Sequence, residues 1–180
     1  MADSELQLVA RRIRSFPDFP MPGVLFRDIS PVLKDPDSFR ASISLLAGHL
    51  KKTHGGKIDY IAGVDSRGFL FGPCLAQELG LGCVLIRKSG KLPGPTVSAS
   101  FMLEYGKAEL EIQRDALEPG HRVVVVDDLL ATGGTMRAAC ELLGQLRAEV
   151  LECVSLVELT SLKGRERLGT IPFFSLLQYE

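Results

Sequence analysis

Net charge is nearly missing from this chain: 21 Lys and Arg stand against 22 Asp and Glu, a formal −1 at neutral pH. That balance argues against a nucleic-acid binder held by phosphate neutralisation, although a small basic pocket needs only a few donors. No apolar run approaches the ~18 residues of a membrane span, so no membrane partner is expected. The opening Met1-Ala2-Asp3-Ser4-Glu5 is acidic with no apolar stretch behind it, unlike a secretory signal. Cys74, Cys83, Cys140 and Cys153 form no Cys-x-x-Cys pair. The last three lie in apolar patterns, which predicts free thiols in a reducing, cytoplasmic compartment. His49, His54 and His121 fall in no motif, so histidine catalysis is not expected. Also missing are Gly-x-Ser-x-Gly, the Gly-x-Gly-x-x-Gly dinucleotide signature and the Lys-Ser/Thr ending of the nucleoside-triphosphate loop.

What is present is ordinary for a globular protein, with 46% apolar and 24% charged residues in a chain of 180, a length that suits one domain. Ser4-Glu5-Leu6-Gln7 reads as a capping box for a first helix carrying Leu6, Val9 and Ile13. Phe16 to Gly23 holds three prolines and a glycine in eight residues. Such a segment predicts a rigid, packed loop outside any helix or sheet. Asp35-Pro36 caps a second helix marked by Phe39, Ile43, Leu46 and Leu50 and ended by Gly55-Gly56. Tyr60 to Val64, Cys83 to Ile86, Val123 to Val126, Val150 to Leu159 and Phe173 to Leu177 read as buried strands, with helices between several of them. Arg87 to Thr96 predicts a mobile basic loop, and Val97 to Leu103 with Lys107 to Ile112 a hairpin. The alternation indicates an α/β fold with a mostly parallel sheet.

Two segments place chemistry at the carboxyl ends of strands, where open α/β sheets bind ligands. In the first, Asp127-Asp128-Leu129-Leu130-Ala131-Thr132-Gly133-Gly134-Thr135, the glycines allow a tight turn and close backbone approach. The following helix points free N–H groups at that turn and Thr132 and Thr135 add hydroxyls, a setting for phosphate. Asp127 and Asp128 would repel a phosphate, but they suit the vicinal hydroxyls of a ribose. A capped helix after a strand, with solvated aspartates, is the bland alternative. The second segment, Asp65-Ser66-Arg67-Gly68, is by itself as consistent with an N-cap and a surface arginine.

The first segment closely resembles the phosphoribosyl pyrophosphate signature of the type I phosphoribosyltransferases. That resemblance implies their fold: a central, mostly parallel sheet flanked by helices, with an N-terminal hood (about 1–34), a core (about 35–180) and a flexible hairpin loop (about 95–107). It implies that Asp127 and Asp128 hold the ribose hydroxyls and that Ala131 to Thr135 wrap the 5-phosphate. Asp65, Ser66 and Arg67 would receive the diphosphate, with Arg87, Lys88 and Lys91 as further candidates. Phe16 to Pro20, Phe26-Arg27-Asp28-Ile29, Leu92 to Pro95 and Glu104-Tyr105-Gly106-Lys107 extend the resemblance to the adenine-using members, over nearly the whole chain. Val24, Leu25, Phe26 and Arg27 would then bind adenine, and Ala131, where 6-oxopurine enzymes carry an aspartate, weighs against hypoxanthine and guanine. Glu104 would act as acid/base, with Tyr105 closing over the site. The implied reaction converts adenine and phosphoribosyl pyrophosphate to AMP and pyrophosphate, with Mg²⁺ carried mainly by the substrate, no dedicated metal ligands, and a homodimer. Phe101-Met102 departs from the more polar pair expected in close relatives and bears on loop closure and turnover. A phosphoribosyl pyrophosphate sensor, or the same enzyme class acting on xanthine or orotate, are the competing readings.

Overall fold

The computed structural model describes residues 2–103 and 106–180. Helix α1 (Ala2–Arg11) lies against α3 (Pro36–His54), and its Val9 side chain is fully buried. The helix already runs at Ala2, so Ser4 sits within its first turn and is not the N-cap. Asp3 and Glu5 in that turn complement the positive end of the helix dipole. The capping of α3 is as expected: Asp35 accepts the Ser38 N–H at 3.3 Å, Pro36 opens the helix, and Gly55 ends it. A five-residue helix, α2 (Ser30–Lys34), precedes it.

The Pro-rich segment differs from expectation. Arg14–Pro17 forms β1, paired antiparallel with β2 (Leu25–Asp28), so Phe16 and Pro17 do enter a sheet. A two-stranded sheet has only edges, and a proline at the end of an edge strand leaves no ladder donor unmet. Phe16, Phe19 and Met21 are exposed, not packed inside.

The main sheet has seven strands: β3 (Tyr60–Val64), β4 (Gly82–Lys88), β5 (Thr96–Leu103), β6 (Gly106–Gln113), β7 (Arg122–Leu130), β8 (Glu149–Leu159) and β9 (Phe173–Tyr179). Their order is β5-β6-β4-β3-β7-β8-β9. Strands β4, β3, β7, β8 and β9 run parallel, and β5 and β6 form the antiparallel hairpin joined to β4. The β-branched run Val123 to Val126 is buried throughout, and its alternation assigns the side chains to opposite faces. Val124 and Val126 join a core with Leu46, Leu50, Phe71 and Leu75 from α3 and α4 (Gly68–Leu79). Val123 and Val125 join a second core with Met136, Leu142 and Leu143 from α5 (Gly134–Gln145). Burial on both faces is what a parallel strand requires. The sheet thereby fixes the carboxyl ends of β4, β3 and β7 side by side.

Candidate active site

Strand β7 runs past its partner. Pairing with β3 ends at Gly63 opposite Val126, while pairing with β8 continues through Leu130 opposite Glu158. Asp127 and Asp128 therefore lie within the strand, on an overhang whose β3 side is open. Asp128 is 5% exposed and receives the Arg67 Nε–H at 2.5 Å. Its own N–H donates to Asp127 Oδ1 at 2.8 Å. Asp127 is half-buried by area but closely surrounded by protein atoms. Burial pushes its carboxyl well above the usual carboxylate range, the Asp128 charge adds to that, and Arg67 opposes it. The pair is thus a partly desolvated acceptor set.

The turn that follows is shaped by two close approaches. Gly133 has φ +89°, and a Cβ there would lie 2.5 Å from the Gly164 carbonyl oxygen. The Gly164–Leu168 turn, which sequence patterning did not single out, packs directly behind the turn between β7 and α5 and dictates this glycine. α5 begins at once, and its N-cap Gly133 offers no side-chain acceptor. The first N–H groups of α5 are left for a ligand, at the positive end of the dipole. Residues Asp127 to Thr135 and Arg67 together line a cavity of about 180 Å³.

The turn after β3 is brought to the same place. A Cβ on Gly68 would meet the Val126 carbonyl oxygen at 2.8 Å, so only glycine lets the start of α4 press on β7. That contact carries Arg67 onto Asp128, and the Asp128 charge raises the Arg67 pKa further. The Asp65–Ser66 peptide is cis. The Asp65 carboxylate accepts the Lys88 N–H at 3.1 Å from the neighbouring strand end. Arg87 Nε stands 3.6 Å from the same carboxylate, an ion pair too long for a hydrogen bond, and among the described residues this buried donor has no hydrogen-bond partner. Lys88 and Lys91 are exposed and line neither this cavity nor the next. The basic loop they belong to is tied down: the buried Glu111 carboxylate accepts the N–H groups of Gly90 at 3.0 Å and Leu92 at 2.8 Å. Glu111 stands within an alternating strand pattern, which gave no signal of this role.

A second cavity, about 580 Å³, opens between the two-stranded sheet and the core. Phe16, Phe19, Phe26 and Arg27 line one side, and Arg67 and Asp128 line the other. Phe19 meets Phe26 edge to face, with centroids 5.1 Å apart at 80°. Of the four residues expected at a base, Phe26 and Arg27 line this cavity, while Val24 and Leu25 lie exposed beside it. Phe16, opposite Phe26 in the ladder, and Phe19 join them, which the sequence reading did not anticipate. Glu104 and Tyr105 lie outside the described residues.

A family model for the phosphoribosyl transferase domain matches residues 29–171. The adenine phosphoribosyltransferases of Rattus norvegicus and Bos taurus are each 88% identical to this chain over 180 residues, with both chains covered in full. The solved adenine phosphoribosyltransferase of Saccharomyces cerevisiae, complexed with D-2,5-dideoxy-2,5-imino-altritol 1,6-bisphosphate and adenine, matches at TM-score 0.94 and 44% identity, covering 97% of this chain and 99% of that one. The Trypanosoma brucei enzyme, in complex with AMP, pyrophosphate and ribose-5-phosphate, matches at TM-score 0.87 and 28% identity, covering 97% and 79%. The chain therefore belongs to the phosphoribosyltransferase family, and within it to the adenine phosphoribosyltransferases. The type I fold implied by the Asp127 to Thr135 resemblance, a central, mostly parallel sheet flanked by helices, is the fold found.

Proposed function

We propose that the chain transfers the 5-phosphoribosyl group of 5-phosphoribosyl 1-pyrophosphate to adenine, forming AMP and releasing pyrophosphate. One observation carries this reading: the phosphate-loop cavity and the Phe-lined cavity share Arg67 and Asp128. A ribose in the first presents its anomeric carbon to a flat base in the second. The 5-phosphate takes the N–H groups of Ala131 to Thr135, and the Asp127 and Asp128 carboxylates accept the 2- and 3-hydroxyls. The diphosphate lies against Asp65 to Arg67, where the unpaired Arg87 Nε–H supplies a further donor. Phe26 stacks on the adenine, and Ala131 adds no second carboxylate to the purine side.

In the reaction the C1–oxygen bond to the diphosphate breaks as the bond from C1 to the purine nitrogen forms, through a cation-like sugar. Asp128 and Asp127 hold the ring while charge develops on it, and Arg67 faces the departing diphosphate. Glu104 takes the proton that the purine loses, and Tyr105 excludes water from the sugar cation. Among the described residues no group of three His, Cys, Asp or Glu could hold a metal ion. Mg²⁺ would be held mainly through the diphosphate and ribose oxygens of the substrate, with the carboxylates of Asp127 and Asp128 behind the ribose hydroxyls. When bound it neutralises charge on the diphosphate. The reading further includes one catalytic domain, a homodimer and a cytoplasmic setting. Among the described residues no helix is long and apolar enough to cross a membrane.

Mixing the protein with phosphoribosyl pyrophosphate, Mg²⁺ and each of several bases tests the proposal. AMP from adenine supports it; product from xanthine or orotate alone overturns the substrate, and no product with any base favours a sensor. Glu104→Gln should lower turnover by about a hundredfold or more while phosphoribosyl pyrophosphate affinity is kept. An unchanged rate removes Glu104 from the mechanism.

A further inference from the structure

The two-stranded sheet that carries Phe26 shares no strand with the seven-stranded sheet. Its placement over the crevice is set by its chain connections to α1 and α2, whose Val9 and Val32 are buried in the core together with Ile29, and by side chains that reach from one sheet to the other. Arg27, the neighbour of Phe26, is held from two directions. Its guanidinium donates to Ser15 Oγ at 2.7 Å within the small sheet. Its Cζ also lies 4.1 Å from the centroid of the Tyr179 ring, well inside cation–π range. Tyr179 ends β9, at the opposite margin of the main sheet from the hairpin. The backbone there is fixed, since Tyr179 pairs with Leu159 and its carbonyl accepts the Thr160 hydroxyl at 3.2 Å. The ring is half-buried, so the contact is partly shielded from water.

We propose that Tyr179 is a positioning residue for the base: through Arg27 it sets where β2, and with it Phe26, stands over the crevice. The inference rests on reading the Phe-lined cavity as the base pocket. Arg27 lines that cavity and also lies over the Tyr179 ring, which makes it the link between the end of β9 and the strand that carries Phe26. The sugar and phosphate groups are held by β7 and α5, whose positions do not depend on this contact. Loss of the ring should accordingly weaken base recognition alone.

In the full-length protein, Tyr179→Leu should raise KM for adenine about five- to tenfold, the equivalent of a partly shielded cation–π contact. Turnover at saturating adenine and phosphoribosyl pyrophosphate affinity by calorimetry should be unchanged. Tyr179→Phe keeps the π face and should restore KM. Arg27→Gln should reproduce the KM rise, and the double variant should add little to either single one; this cycle decides the matter if Tyr179→Leu folds poorly. An unchanged KM in Tyr179→Leu, a Phe variant as impaired as Leu, independent effects in the double variant, or a joint loss of KM, phosphoribosyl pyrophosphate affinity and melting temperature would each overturn the proposal. Phe26→Ala separates the two readings. An unchanged adenine KM there removes the base pocket itself, whereas a raised one beside a normal Tyr179→Leu removes only the relay.

Discussion

Asp127 and Asp128 sit on a nine-residue strand buried against two helical layers, whereas Phe26 and Arg27 sit on a four-residue strand with one partner and exposed neighbours. On the proposed reading, the groups for phosphate are backbone N–H donors at the start of α5, which no surface substitution can remove. The groups for the base are side chains, two of them held by an edge-to-face ring contact and a cation–π contact. On that reading, a rigid strand holds the sugar phosphate by fixed donors and acceptors while a small separate sheet supplies the aromatic wall for the base. On the proposed reading, the difference separates binding of the phosphorylated sugar, built into the core, from the aromatic contacts to the base, built onto it.

The comparison breaks most sharply at Asp128. Asp128→Ala removes an acceptor for the ribose and leaves the Arg67 guanidinium without its buried partner, so affinity for phosphoribosyl pyrophosphate should fall about a hundredfold or more. Calorimetric binding within a few-fold of the parent would mean that β7 does not hold the sugar. Next in size is Phe26→Ala, which removes a stacking surface worth about 1–3 kcal/mol. It should raise KM for adenine about tenfold and leave phosphoribosyl pyrophosphate affinity intact. If both constants move together, the small sheet and the core are not separate devices.

Much of this division could be read from residue patterns, because the determinants of the core are local. Val123 to Val126 announces a two-sided strand, and Gly133-Gly134 a tight turn at a helix start. The overhang of β7 past β3 was not legible, since it depends on where a strand sixty residues earlier stops. Nor was the packing of Gly164 behind Gly133, a contact between backbones far apart in sequence that no side-chain pattern records. Phe16 to Gly23 misled for a related reason. Proline density reports that a helix is impossible, but a two-stranded edge tolerates Pro17, and exposed aromatics become sensible only once a cavity is seen beneath them. Tyr179 lies in an ordinary terminal strand, and its meeting with Arg27 is set by tertiary structure alone.

The smallest effect expected concerns the resting cost of the acidic pair. Asp127 has its folded pKa raised by burial and by the Asp128 charge, with Arg67 only partly offsetting them. A carboxyl raised in this way binds its proton more tightly in the folded chain than in the unfolded one. It therefore opposes folding above its folded pKa, and the penalty fades as pH falls from there to the ordinary carboxylate range. Asp127→Asn keeps an oxygen for the Asp128 N–H and abolishes the ionisation. The variant should melt higher than the parent at neutral pH, where about 1 kcal/mol moves the midpoint by about 2–4 °C for a chain of this length. The gap should shrink on acidification, and affinity for phosphoribosyl pyrophosphate should be lower throughout. A variant that melts lower at neutral pH, or a gap that persists in acid, would mean that Asp127 is satisfied in the free protein. The sugar site would then be a relaxed part of the core, and its contrast with the small sheet would rest on rigidity alone.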